Sequence, residues 1–302
     1  MDVFAQSAEI LRKFLRIETS SSTIFRVCSA YGEAVEAPLS ASEDSREVGS
    51  QEVVYAELDG SMIYTDNAWR EVKLGRVFRS GDIRESPTAD RAGEILRSEY
   101  TAHLGGYEEF VRKFQRTTDR YRDLEERLVF ITDGAIWMHH WMNAEYPKAT
   151  QILDFYHAVE QLSTFAETAL PEVDQRRTWM AQQKAYLLAG GVDTVIKNIG
   201  RCAKRTNRGN LEAKRVKNYY SENRDRMQYH DYIRRGLSIG SGAIESAHRT
   251  VIQRRMKLSG QRWSNGGVDT MLNLRVCSMS GKWDLIVDLI RQPKTQLSTA
   301  TL

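Results

Sequence analysis

The 302-residue chain is poor in the features that mark several protein classes. Its three cysteines, Cys28, Cys202 and Cys277, lie far apart and form no CxxC pair, so neither a disulfide framework nor a zinc knuckle is indicated, and reduced thiols are expected. No run of about 18 apolar residues occurs, which excludes an apolar spanning helix and argues against a membrane partner. The start MDVFAQSAEILRKF is too polar for the apolar core of a signal peptide, so the expected location is cytoplasmic. Neither GxGxxG nor the phosphate-loop pattern GxxxxGK is present, which removes the common nucleotide-binding loops, and there is no internal repeat or low-complexity tract. What remains is ordinary globular composition, 41% hydrophobic and 27% charged, in a chain long enough for one large domain or two modest ones.

The net charge of +3 conceals an uneven distribution. Between Arg201 and Arg262 there are sixteen Lys and Arg against five Asp and Glu, a local balance of +11 that leaves −8 for the rest of the chain. Tyr219, Tyr220, Tyr229 and Tyr232 interleave this block and Trp263 follows it. Cations among rings fit a surface that neutralises phosphates and stacks unpaired bases, and they fit a solvated helical face equally well.

Apolar spacing predicts two short helices, over residues 8–16 and from Thr19-Ser20-Ser21-Ser22 onward, with a polar linker over 36–51. VVYAELDG, SMIYTD and WREVKLGRVFRS alternate as half-buried strands and read as a three-stranded meander, with YTAHLG as an edge strand. LVFITDG and QILDFYH are short continuous apolar runs with acidic ends, each followed by a helical pattern, as in strands covered on both faces. From Pro171 to about Arg235 only helical spacing appears; GLSIGSGAIES then turns into a further helix. Strands first in a meander and then alternating with helices imply an α/β chain, a mixed sheet with flanking helices.

Three acids end or begin these elements: Asp59, Asp133 and Glu245. Each has an ordinary reading, as a hairpin-turn pair with Gly60, a helix cap, and a favourable charge in a first helical turn. Together they suit hard divalent cations, because two such ions about 3.5–4 Å apart can activate an attacking oxygen and stabilise a leaving one in a phosphoryl displacement. The order of meander, buried strand and late helix, each with one acid, is the plan of a ribonuclease H-like core.

Three blocks, AELDGSMIYTDNAWREVKLGRVFRS, FITDGAIWMHHWMNAEYPKATQILDFYHAVEQL and SIGSGAIESAHRTVIQRRMKLSGQRWSNGGVDTMLNLRVCSMSGKWD, resemble the DDE transposases of bacterial insertion sequences, in particular the mutator-like ISKra type. The likeness covers residues 50–285. It implies that Asp59, Asp133 and Glu245 bind two Mg²⁺ ions, with Mn²⁺ as a possible substitute, and that His157, in the D-x-x-H motif begun by Asp154, acts beside them. It further implies a helical insertion before the last catalytic helix, DNA contacts from Arg249, Arg254, Arg255, Lys257, Arg262 and Trp263, transposon ends and target DNA as partners, a nucleoid-associated location, and a homo-oligomer on DNA. The expected division is 1–50, a helical segment with a possible helix-turn-helix remnant; 51–170, the first part of the core; 171–236, the insertion; 237–290, the last part of the core; and 291–302, a flexible tail. Relatives of this type carry a longer amino-terminal region, so the chain reads as shortened at its start. A non-catalytic DNA-binding remnant and a general nuclease of the same fold are the alternatives.

Overall fold

The computed structural model describes residues 3–292 apart from 43, 45, 67, 86–92 and 204–206. From 293 onward the expected flexible tail lies outside the described residues. The chain divides into two compact units, Met1–Asp123 with Ala243–Leu302, and Leu124–Gly242.

The first unit opens with α1 (Val3–Ile10), which runs into a π-helical turn over Leu11–Leu15, followed by α2 (Ser21–Ala34) and α3 (Glu36–Ala41). Ser20 begins α2 as the sequence suggests, its hydroxyl accepting from the Thr23 N–H. Strands β1 (Val54–Thr65) and β2 (Ala68–Arg79) form one long antiparallel hairpin, in register from Val54 opposite Arg79 to Thr65 opposite Ala68. This corrects the expected meander, because the chain runs straight through Asp59-Gly60 and turns at Asp66, whose φ is +43°. A two-residue ribbon, β3 (Ile83–Arg84) with β4 (Glu94–Ile95), precedes β5 (Glu99–Leu104), which pairs antiparallel with β2, and α4 (Tyr107–Thr118) follows.

The second unit begins its regular structure at β6 (Leu128–Thr132), buried at every position, then α5 (Ile136–Glu145) and β7 (Thr150–Leu153). The two strands are parallel, Val129 opposite Thr150 through Thr132 opposite Leu153. Helices α6 (Phe155–Ala169), α7 (Val173–Leu188), α8 (Val192–Ala203), α9 (Asn207–Glu222) and α10 (Tyr229–Arg234) complete it. Among the described residues no strand occurs between Pro171 and Arg235, as expected of the helical segment. The tyrosines of the basic block, however, are mostly structural. Tyr220, Tyr229 and Tyr232 are buried, and their hydroxyls donate to the carbonyls of Ala158, Leu153 and Gln151. Buried rings with satisfied hydroxyls hold helices to strands and cannot stack on bases.

The chain then returns to the first unit through α11 (Gly242–Ala247), a π-helical turn at His248–Gln253 and α12 (Arg254–Met256), which together make one interrupted helix, followed by α13 (Asn265–Met279) and α14 (Asp284–Arg291). Ile63, Val72 and Leu74 of the hairpin pack against Ile244, Val251, Ile252 and Met256 of the interrupted helix and Met271 and Leu272 of α13. Full burial of each such side chain is worth about 1.5–3 kcal/mol. The amino-terminal helices belong to the same core: Phe4 is buried in it, and Asn273 of α13 donates to the Gly32 carbonyl of α2 at 3.0 Å. Antiparallel pairing in one unit and parallel pairing in the other, both with helices, make the protein α/β. Among the described residues no helix is long and apolar enough to cross a membrane.

Candidate functional site

In the first unit, strand periodicity decides where the acids point. Glu57 and Asp59 are two residues apart on β1 and therefore share a face. Glu57 is buried, and its Oε2 accepts the Ile244 N–H at 2.7 Å, satisfying a donor in the first turn of α11 that helix geometry leaves unpaired. Arg76 on β2 lies near Glu57 and donates to the Ala243 carbonyl at 2.6 Å, so the start of α11 is gripped by one carboxylate and one guanidinium. Asp59 is half-buried; its Oδ1 accepts the Gly60 N–H at 2.7 Å, and its Oδ2 stands 3.3 Å from His248 Nε2. Burial pushes the His248 imidazole down to about 4, against a smaller opposing pull from Asp59, so at neutral pH the contact joins a carboxylate to an uncharged ring. Glu245, adjacent to the gripped Ile244, is exposed. His248 is buried and Glu245 exposed, where the helix passes from α to π geometry.

In the second unit, two acids follow the carboxyl ends of the neighbouring parallel strands, Asp133 after β6 and Asp154 after β7. Such strand ends are where open α/β sheets place ligands. Asp133 is half-buried, and its Oδ1 accepts the Ala135 N–H at 2.9 Å. Gly134 lies against the Tyr219 ring, where a Cβ would come within 2.2 Å of the ring edge; only glycine admits this approach beside the acid. Burial, reinforced by Asp133 nearby, pushes the Tyr219 phenol well above its ordinary range, so it stays a neutral donor.

Asp154 is fully buried and caps α6. Its Oδ1 accepts the Tyr156 N–H at 2.7 Å, while Oδ2 stands 2.9 Å from His157 Nδ1 and also accepts from Ser241 Oγ. Burial alone would raise this carboxyl, but the hydrogen bonds from His157, Ser241 and the Tyr156 N–H outweigh it and hold the group below its ordinary value. The ionised Asp154 therefore fixes a proton on His157 Nδ1, and the ring is partly open to solvent. The loop carrying Ser241 is pinned by the Phe155 N–H, which donates to the Ile239 carbonyl at 2.9 Å.

The cations expected on DNA divide by burial. Arg249, Arg254, Lys257 and Arg262 are exposed. Arg255 is half-buried with its guanidinium 5.0 Å over the Phe4 ring, and Arg262 lies 5.9 Å over Tyr64. Trp263, expected to meet bases, is a core residue at 6% exposure whose indole N–H donates to the Met256 carbonyl at 3.2 Å.

Sequence reading missed Glu57, Arg76 and Ser241, and took Tyr219 only as a ring of the basic block. Only Glu57 carried a signal, a charge at an inward position of an alternating strand. The carboxylates Asp59, Asp133 and Glu245 are hard oxygen donors of the chemistry Mg²⁺ prefers. Among the described residues no group of three or more His, Cys, Asp or Glu side chains gathers to hold a metal ion. No protein-family model matches the chain, and no curated protein matches it.

Proposed function

We propose that the protein is a DDE transposase with a ribonuclease H-like core, catalysing divalent-cation-dependent cleavage of DNA at an element's ends and transfer of the resulting strands to target DNA. The observation that carries this reading is the placing of Glu57 and Asp59 on one face of β1, the first accepting from the Ile244 N–H of the helix that bears Glu245 and the second 3.3 Å from His248 at the end of that helix. Asp133 at the end of β6 and the Asp154–His157 pair at the end of β7 add the acids and the proton-bearing ring that the chemistry uses.

In this reading Asp59, Asp133 and Glu245 hold the ions. When bound, Mg²⁺ neutralises phosphate charge and makes a water acidic enough to attack at neutral pH; Mn²⁺ can take its place. The chain's own groups do the rest. His248 meets Asp59 at 3.3 Å as an uncharged ring, so this contact is not an ion pair at neutral pH. Asp154 keeps the His157 ring oriented, so that Nε2 can hold or pass a proton at the departing oxygen. Exposed Arg249, Arg254 and Lys257 contact phosphates. Joining two ends calls for a homo-oligomer on DNA.

Purified protein with DNA carrying the element's ends and Mg²⁺ tests this. The wild type is expected to nick and join, and Asp59→Asn and Asp133→Asn to lose activity by about a hundredfold or more. Retained activity in either variant overturns the assignment. So does DNA binding by the wild type without metal-dependent cleavage, which is the signature of a DNA-binding remnant. Cutting of DNA that lacks ends, with no joining, marks a general nuclease instead.

A further inference from the structure

A cavity of about 640 Å³ opens in the first unit, away from the acids described above. Ser21, Ser22 and Arg26 of α2 form one side, and Gln261 and Arg262, in the segment between α12 and α13, form the other. Its floor is rigid: Phe4 and Trp263 are buried, edge-on to each other with ring centres 6.0 Å apart. No acidic residue lines it. Among the described residues neither Arg26 nor Arg262 has a carboxylate partner. Arg26 reaches only the Thr23 hydroxyl at 3.5 Å, and Arg262 rests over the Tyr64 ring. Both guanidiniums are exposed.

From this we infer that the cavity is a DNA-backbone subsite, in which the guanidiniums of Arg26 and Arg262 clasp phosphates of one strand and the serine hydroxyls donate to the remaining phosphate oxygens. The chemistry selects the ligand. Planar, always-charged forks with hydroxyl donors and no competing carboxylate suit phosphate oxygens. The volume falls in the range of about 300–1,000 Å³ that takes ligands much larger than a single tetrahedral anion. Exposed Arg254 and Lys257, on the segment leading into the same wall, extend the positive charge beyond the cavity, as a polymer of phosphates requires and a free nucleotide does not. Because Phe4 and Trp263 are committed to the core, the site grips backbone without reading bases, so its contribution is independent of sequence. The inference rests on the proposed function only in naming DNA as the polymer, since it uses none of the acids.

Fluorescence anisotropy of the full chain with a labelled DNA duplex tests it. Wild type, Arg26→Ala/Arg262→Ala and Asp59→Asn are titrated at several salt concentrations, with circular dichroism to establish that each is folded. Both arginines are exposed and outside the core, so their loss should leave the fold intact. The double variant is expected to bind at least about tenfold more weakly at low salt. Its slope of log affinity against log salt should be shallower by about 2, the equivalent of two lost phosphate contacts. Asp59→Asn should bind like wild type. If wild type binds in this way but cuts nothing, the proposed function fails while the subsite stands. An unchanged affinity and slope in the double variant overturns the subsite. So does binding of inorganic phosphate that the two substitutions abolish while leaving DNA affinity intact.

Discussion

Asp59 and Asp154 are the same residue placed in opposite circumstances. Asp154 is fully buried and accepts from a backbone N–H, an imidazole and a hydroxyl; Asp59 is half-buried, accepts from its own neighbour's N–H, and faces a ring kept neutral by burial. One carboxylate is a structural hub whose charge is spent on organising its surroundings. The other has solvent on one side and a single uncharged ring on the other. The difference lies in the elements: a helix cap at the end of a buried parallel strand supplies converging donors, whereas the middle of an antiparallel strand supplies only what packs across from it.

The comparison is broken most directly by removing each acid. Asp154→Ala strands the Ser241 hydroxyl, the Tyr156 N–H and the His157 ring, and is expected to cost about 3–5 kcal/mol of stability in urea unfolding, whereas Asp59→Asn should change stability by less than about 1 kcal/mol. Equal losses would mean that Asp59 too is structural.

Acid sharpens the same contrast through His248. Its imidazole titrates near 4 in the folded protein and near the ordinary 6.5 when unfolded. The unfolded chain therefore binds the extra proton between those values, and stability falls as pH drops from about 6.5 to 4, by about 3 kcal/mol in all. Thermal melts in a metal-free buffer should show this loss in the wild type and not in His248→Phe. A smaller effect than that of Asp154→Ala or of acid is expected at the grip on α11. Glu57→Gln keeps an acceptor for the Ile244 N–H but removes the charge beside Arg76, for a cost of about 1–2 kcal/mol by the same urea measurement.

Several parts of this arrangement were legible in the sequence. The continuous apolar run at 128–132 read correctly as a buried strand, because a strand covered on both faces needs no polar positions; QILDFYH led into a strand as expected, but β7 is buried only at Ile152 and Leu153, with Thr150 and Gln151 half-buried. The helical stretch after Pro171 followed from its spacing alone. Asp59-Gly60 misled, since Asp-Gly is a strong local turn signal, but twelve cross-strand pairs outweigh one dipeptide. The tyrosines misled because composition cannot show which hydroxyls find buried carbonyls. Ser241 was invisible as a partner of Asp154: 87 residues separate them, and only the return of the chain brings them together.

The π-helical turn at His248–Gln253 has a consequence for how this part of the chain can change. A wide turn of this kind is one residue longer than its α-helical counterpart, so it acts as a phase shifter between the stretch that carries Glu245 and the stretch that carries Met256 into the core. Winding the same number of residues there as ordinary α-helix would rotate everything downstream by about 100°. Met256 would then swing out of its packing while Glu245 stayed where it was, so the wide winding of this segment is under tighter constraint than the identity of its solvent-facing residues.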